Sequence, residues 1–456
     1  MRISSYNIYV SLENEENEYI LFNGFTGTID VVSKSVYDQI DKAANGSIAI
    51  EDINKDILDI LIKRGYITEK TEEDEREKFR DLVSLVQKHM QDYVSFTVMP
   101  TYNCNFRCSY CFEKNRLKNG TEWLEASMKK EVVDRIFSYM DELEAEGKKV
   151  SKEITLYGGE PLLKENHDIV KYFVDKCAER SIKLSAITNG YDLTYFKDVL
   201  GKGKIERLQI TIDGIGDYHN KKRFLKGNMP TFDTIVSNID EILELDVIIS
   251  IRSNIDVSNI DQIDKLVDFY KHKGWVKKEN FEYYFKNVHN CYIDKKKYVD
   301  EEKLWKKMEE ANGSYENSNI GTGIAKILMY MLEKGKPIIP RASFCGATSA
   351  MLVVDPFGDV YPCWEVVGQK EDCCIGNIME GISKENKIYK YWRERDINHI
   401  EACSKCPYAI FCGGGCPAHV RVNKGDIYLP HCTEYKELFV KTVREVYTEF
   451  MSKKNF

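Results

Sequence analysis

No apolar run in the sequence approaches about 18 residues, the length that crosses a bilayer as a helix, so neither a membrane span nor a membrane partner is expected. The first residues, Met1-Arg-Ile-Ser-Ser-Tyr-Asn, lack the apolar core of a secretory signal. Positive charge is not in excess: 65 Lys and Arg face 73 Asp and Glu, a formal net charge of −8. That balance argues against a nucleic-acid partner, which would want a basic face. Lys and Glu are interspersed along most of the chain, the pattern of a solvated surface. Cysteine outside a spacing pattern is scarce as well. Of 14 cysteines, only Cys177 and Cys291 stand alone, and a buried thiol is the expectation for both. Without an export signal a cytoplasmic location is expected. In that reducing compartment clustered cysteines bind metal or do chemistry rather than pair as disulfides.

What is present begins with a chain of 456 residues, 43% hydrophobic and 12% aromatic, enough for about two to four domains with sizeable cores. Its organising stretch is Cys104-Asn-Phe-Arg-Cys108-Ser-Tyr-Cys111, just after a β-like run at 94–99. The spacing C-x3-C-x2-C lets one loop place three thiolates around one inorganic cluster. A [4Fe–4S] cube has four corners and takes thiolates as its normal ligands. Three local ligands leave one iron open to bind and activate something. The plainer alternatives are a zinc knuckle or three unrelated buried cysteines. A structural zinc site wants four protein ligands, and no fourth Cys or His lies nearby.

Taken in order, residues 1–92 form a first unit. Short strands are expected near 8–11, 19–22 and 27–32, with turns at Asn23-Gly24 and Gly27. Helices follow at 35–44 and 56–64, the second ending at Gly65, and Tyr66-Ile-Thr reads as a wing strand. The charged run from Thr71 to Lys78 reads as a linker or an exposed helix start. From about 93 to 290, strands expected at 94–99, 153–157, 183–188, 207–212, 247–253 and 281–285 alternate with helices at 125–146, 165–180, 231–245 and 259–272. Repeated βα units imply a parallel sheet, and six of them suggest a partial barrel. In such barrels the site lies at the C-terminal strand ends. The polar motifs fall there: Tyr157-Gly158-Gly159-Glu160-Pro161, Thr188-Asn189-Gly190, Thr211-Ile-Asp213, Arg223 and Arg252-Ser253-Asn254. The two glycines would allow close backbone approach to a ligand, and Glu160 offers an anionic partner for an ammonium group. His219 reads as a structural hydrogen-bonder. Residues 291–340 read as a helical bridge, with helices at 304–311 and 324–334.

The last third carries Cys345-x12-Gly358-x4-Cys363, then Cys403-x2-Cys406-x5-Cys412-x3-Cys416, then Cys432. Cys373 and Cys374 lie in the gap. A pair of zinc sites is the competing reading.

C-x3-C-x-aromatic-C resembles the signature of the radical SAM superfamily, with Tyr110 as the aromatic. The resemblance implies that an open iron chelates S-adenosylmethionine and that one electron cleaves it to a 5′-deoxyadenosyl radical. Gly158, Gly159, Glu160 and Pro161 match the motif that holds the methionine amino group. Thr211 and Arg223 match the usual Ser/Thr and Arg positions. Asn189, Arg252 and Phe112 complete the expected cofactor-binding set. The seven C-terminal cysteines match the SPASM extension, which implies two auxiliary [4Fe–4S] clusters. By resemblance the first takes Cys345, Cys363 and Cys416, with a fourth ligand such as Cys374 from the gap. The second takes Cys403, Cys406, Cys412 and Cys432. The implied fold is α/β: a partial (β/α)6 TIM-like barrel over 93–290, a winged-helix-like peptide-recognition domain over 1–92 and an iron–sulfur SPASM domain over 341–456. The implied activity is maturation of a ribosomally made precursor peptide with a leader, forming a cysteine thioether as in sactipeptide or ranthipeptide synthases. An electron donor such as ferredoxin or flavodoxin is implied. A formylglycine-forming sulfatase maturase, a C–C crosslinking or epimerising enzyme, and a SAM-independent electron carrier remain the alternatives.

Overall fold

The computed structural model describes residues 1–13, 17–113, 126–288, 295–311, 322–336, 340–432 and 434–454. Cys291 and the expected helix start at Glu125 lie outside them. The described chain gathers into two compact units that are discontinuous in sequence: Met1–Met90 with Gly321–Thr348 and Glu394–Phe456, and Gln91–Ile320 with Ser349–Arg393.

In the first unit, β1 (Arg2–Ile3) pairs antiparallel with β5 (Ile67–Thr68). β2 (Asn7–Ser11), β3 (Glu18–Asn23) and β4 (Thr28–Ser33) form an antiparallel meander with β3 in the centre. Local chemistry sets the helices that follow. Asn54 accepts from the Asp56 and Ile57 amides to start Lys55–Arg64, and Gly65, at φ 87°, ends it. Thr71 and Asp74 cap each other reciprocally to start Glu72–Met90, so the charged run is a helix start rather than a linker. Leu21, Ile40, Ile53, Leu61, Tyr66 and Ile67 form the core of this segment. Phe22 also meets Phe411 and Phe439, so the first ninety residues share a core with the C-terminal helix Tyr435–Lys454.

The second unit holds a nine-stranded sheet in the order β11-β10-β9-β8-β7-β6-β12-β13-β14. These strands are β6 (Tyr93–Val98), β7 (Lys149–Leu156), β8 (Lys183–Thr188), β9 (Ile205–Thr211), β10 (Ile248–Ile255), β11 (Phe281–Asn287), β12 (Met351–Val354), β13 (Asp359–Tyr361) and β14 (Gly376–Asn377). The six strands β6 to β11 run parallel in sequence order, the partial barrel expected from the alternation. One face is apolar, with Leu184, Ala186, Leu208, Ile210, Ile249 and Ile251 buried. The other is polar: the hydroxyls of Thr155 and Ser185 meet at 3.0 Å, and Tyr284 donates to Gln209 at 2.6 Å.

The sequence reading kept 341–456 together, whereas the compact units divide that stretch. β12 adds in parallel to β6, and the β12–β13 hairpin with β14 continues the barrel sheet. Main-chain ladder bonds therefore group 349–393 with the barrel, a pairing that no local pattern announces.

Candidate active site

The cysteine loop leaves β6 and is held by main chain first. The Arg107 amide donates to Phe224 O at 2.8 Å, the Ser109 amide to Lys222 O at 3.0 Å, and the Lys226 amide to Asn105 O at 3.0 Å. Residues 105–109 thus pair with 222–226, which brings Arg223 to the loop. The Phe106 amide points at Cys104 Sγ, 3.4 Å away. Cys104, Cys108 and Cys111 are each half-buried, and Cys104 lies within Coulombic reach of the other two. Burial pushes the Cys104 and Cys108 thiols above the usual range; Arg223 opposes this at Cys108. Thiols in such a setting become thiolates when a cationic centre arrives to bind them.

Gly158 and Gly159 approach the protein's own backbone closely. A Cβ on Gly158, at φ 123°, would meet Thr101 O at 2.7 Å, and one on Gly159 would meet Asn103 O at 2.2 Å. Here the glycines let β7's end press against the backbone of the cysteine loop, and the Glu160 amide completes the join by donating to Asn103 O. Glu160 is buried, and its carboxylate is already engaged. It accepts from the Leu162 amide at 2.9 Å, the Thr188 hydroxyl at 2.6 Å and the Asn189 amide at 2.6 Å. Burial raises its pKa to about 7 against the pull of those donors. Its side chain fastens β7's end to β8's end. Asn189 does similar work: its amide donates to Asn105 Oδ1 at 2.7 Å, beside Cys104, while its oxygen takes the Tyr191 amide.

Tyr110 is the centre of a second lock. Its hydroxyl donates to Asp213 Oδ2 and receives bonds from Arg223 Nη1 at 2.9 Å and Asn254 Nδ2 at 3.1 Å. Asp213 Oδ1 accepts the Asn254 amide at 2.7 Å, and Arg252 Nε donates to Asn254 Oδ1 at 2.8 Å. Thr211 and Arg252 are partners across β9 and β10. Arg223 Nε is buried with no protein partner, a donor suited to an anionic group. His219 takes the Asp213 amide on Nδ1 and is kept neutral by burial, as its structural reading anticipates. Phe112 stacks on Tyr157 at 5.9 Å, and Tyr157 meets Trp364 edge-on at 6.0 Å.

Sequence reasoning gave no role to Tyr102 and Asp355. Tyr102 donates to Asp355 Oδ2 at 2.7 Å, tying the cysteine loop to the β12–β13 turn. The partners are 253 residues apart, so no local signal could pair them.

None of the described cysteines is in a disulfide. Cys403 lies within Coulombic reach of Cys406, Cys412 and Cys432, Cys412 within reach of Cys406 and Cys432, and Cys345 and Cys416 both act on Arg395. Cys363 is buried just after β13. Cys374 Sγ lies 3.1 Å from Gly376 O, near Lys370 and Asp359, while the neighbouring Cys373 is fully buried. Among the described residues no three Cys, His, Asp or Glu side chains stand close enough to hold a single ion. A cubane takes its thiolates at separate iron corners, so a thiol set for it is wider than a one-ion cage.

The chain matches the Radical SAM superfamily over residues 98–270, which contain the three loop cysteines and the strand-end motifs. It is 30% identical over 176 residues to a GTP 3′,8-cyclase of Campylobacter jejuni, covering 38% of this chain and 51% of that one. The chain therefore spans about half the length of such relatives. A cysteine-type anaerobic sulfatase-maturating enzyme of Clostridium novyi is 24% identical over 378 residues, 75% of this chain and 93% of its own. Among solved structures, native anSMEcpe with bound AdoMet gives a TM-score of 0.60 at 18% identity, covering 79% of this chain and 99% of that chain. Streptococcus suis SuiB bound to precursor peptide SuiA gives 0.52 at 14% identity, covering 95% and 99%. The three-cysteine loop at the C-terminal edge of the six-stranded parallel partial barrel lies within residues 98–270, the stretch that matches the Radical SAM superfamily.

Proposed function

We propose that the chain is a maturase of a ribosomally made peptide, forming a cysteine thioether crosslink. The observation that carries the reading is the reach of the likeness to SuiB, which takes in 95% of this chain and nearly all of a protein solved with its precursor peptide. Cys104, Cys108 and Cys111 would hold the SAM-binding cluster, and the unpartnered Arg223 Nε would donate to a carboxylate. When bound, cluster and SAM supply a 5′-deoxyadenosyl radical that can take a hydrogen atom from a peptide carbon. Thr211, Arg252 and Tyr284 line the polar barrel face on which such a peptide would lie. Cys403, Cys406, Cys412 and Cys432 would hold an auxiliary cluster. A ferredoxin or flavodoxin would supply electrons. The leader would add as a strand at β4, the sheet edge where Val31 is exposed. Arg64 donates to Ile29 O and so occupies one end of that edge.

A second reading, conversion of a protein cysteine to formylglycine, is favoured by the Clostridium relatives and the anSMEcpe likeness. One experiment separates them. Anaerobically reconstituted protein, SAM and dithionite are incubated with a cysteine-containing, leader-bearing precursor peptide, or with a cysteine peptide of the sulfatase type. Thioether formation removes two hydrogens, keeps the sulfur and blocks alkylation. Formylglycine formation removes the sulfur and leaves an aldehyde that hydrazides capture. Modification of neither peptide would overturn both readings.

A further inference from the structure

Arg395 is fully buried, yet it forms no ion pair with a carboxylate among the described residues. Its Nε donates to Ile427 O, and its Nη2 reaches Gly414 O at 3.1 Å and Gly415 O at 3.2 Å. Nη1 is buried and unpartnered. Burial pulls the guanidinium's pKa below its ordinary value, and the charges that act against this are those of Cys345, Cys403, Cys416 and Cys412. A buried cation without a counter-charge is costly, and those cysteines supply one only as thiolates.

The glycines beside it fix a second relation. Gly413, Gly414 and Gly415 run at φ 70°, 82° and 77°, a left-handed succession that side-chain-bearing residues rarely adopt. A Cβ on Gly415 would strike His431 at 2.6 Å. This turn aims the Gly414 and Gly415 amides at the Cys412 sulfur. The peptide unit joining Gly414 to Gly415 therefore has its carbonyl on Arg395 and its N–H on Cys412. A cation on the carbonyl polarises that unit and strengthens the N–H on the sulfur.

The geometry points to Arg395 as a positioning residue that raises the reduction potential of the cluster at Cys403, Cys406, Cys412 and Cys432, through its charge and through the Gly414–Gly415 peptide. A cluster that gains an electron becomes more negative by one unit, so a fixed cation and N–H···S bonds favour its reduced form. The inference rests on the proposal that these cysteines hold an iron–sulfur cluster.

The test uses the full chain with Cys104, Cys108 and Cys111 changed to Ala, so that only C-terminal iron remains. Iron content is measured first, then the midpoint potentials by EPR-monitored titration. Arg395→Met should keep the iron and lower one midpoint. At the parent's midpoint, the ratio of reduced to oxidised cluster should fall roughly tenfold, which is about 59 mV for a one-electron couple. Arg395→Lys, which keeps charge but loses the fork onto both carbonyls, should shift the same midpoint by less. An unchanged or raised midpoint in an iron-loaded Arg395→Met protein overturns the inference. Should that variant fail to load iron, an unchanged midpoint in Arg395→Lys overturns it instead. A parent without C-terminal iron would fail earlier, at the cluster proposal itself.

Discussion

The cysteine loop of the barrel and the cysteine turn around Arg395 answer the same problem, holding buried thiols in place, in opposite ways. Around Cys104–Cys111 the work is done by carboxylates. Glu160 joins β7 to β8, Asp213 joins Tyr110 to β10, and Asp355 joins Tyr102 to the β12–β13 turn. Arg223 is the cation among them and shares Tyr110 with Asp213. Around Cys412 there is a cation on backbone carbonyls, with glycines shaping the main chain. In the first arrangement the cation Arg223 reaches the carboxylate Asp213 through their shared Tyr110 hydroxyl. In the second the charges that face Arg395 are those of thiolates. A loop of the first kind is fixed by protein bonds and leaves Arg223 Nε for a ligand; one of the second kind leaves a buried guanidinium whose counter-charges are cysteines.

The largest effect expected from breaking this contrast is on the first loop. Cys104→Ala, Cys108→Ala and Cys111→Ala should each abolish 5′-deoxyadenosine formation in a dithionite-driven chromatographic assay, because each would remove a proposed ligand of the SAM-binding cluster. Undiminished cleavage in all three would remove the barrel site from the chemistry. Gly159→Ala comes next. Its Cβ would fall 2.2 Å from Asn103 O, so the cysteine loop must move; a stability loss of about 1–3 kcal/mol is expected, with SAM cleavage down at least tenfold. Denaturant unfolding and the same assay measure the two effects.

Tyr110→Phe is smaller in volume change but leaves Arg223, Asp213 and Asn254 without their shared partner. A loss of about 1–3 kcal/mol follows from unsatisfied buried polar groups, and SAM affinity should weaken with it. Equal stability and affinity in the variant would mean that the lock does not order the loop. The subtlest test is the pH dependence of Glu160. Its folded pKa of about 7 stands above the ordinary value of 4.5, so between these the folded chain holds a proton that the unfolded chain has released. Stability from this group is greatest below about pH 4.5 and is lost as pH rises to about 7. The stability difference between the parent and Glu160→Gln should therefore shrink from pH 5 to pH 8 in urea titrations; a difference constant with pH would assign Glu160 no titration in this range.

The N-terminal unit bears on how the peptide proposal is tested. Removing residues 1–92 would strip Phe22 from Phe411 and Phe439 and so expose the core it shares with the C-terminal helix. Val31→Glu, on the exposed β4 edge, is the gentler change. It should weaken binding of a labelled leader-bearing precursor peptide, read by fluorescence anisotropy, while leaving SAM cleavage unchanged.

Much of this molecule is written locally. The period-two runs, the Asn54 and Thr71 caps and Gly65 determine strands and helices from neighbours a few residues away, and the thiol spacings declare their chemistry because a loop's reach is set by its length. The βα alternation implies the parallel sheet for the same reason. Other features arise from contacts between distant segments. The sequence marks Gly158, Gly159 and Glu160 as residues with a purpose, but only packing reveals that they seat the cysteine loop and clamp two strand ends. Tyr102–Asp355, the addition of β12 to β6, and Arg395 reaching the Gly414 and Gly415 carbonyls across 19 and 20 residues carry no periodicity or motif. Their energies come from burial, where an isolated hydroxyl, carboxylate or guanidinium is costly, so the tertiary structure alone decides which partner each one finds.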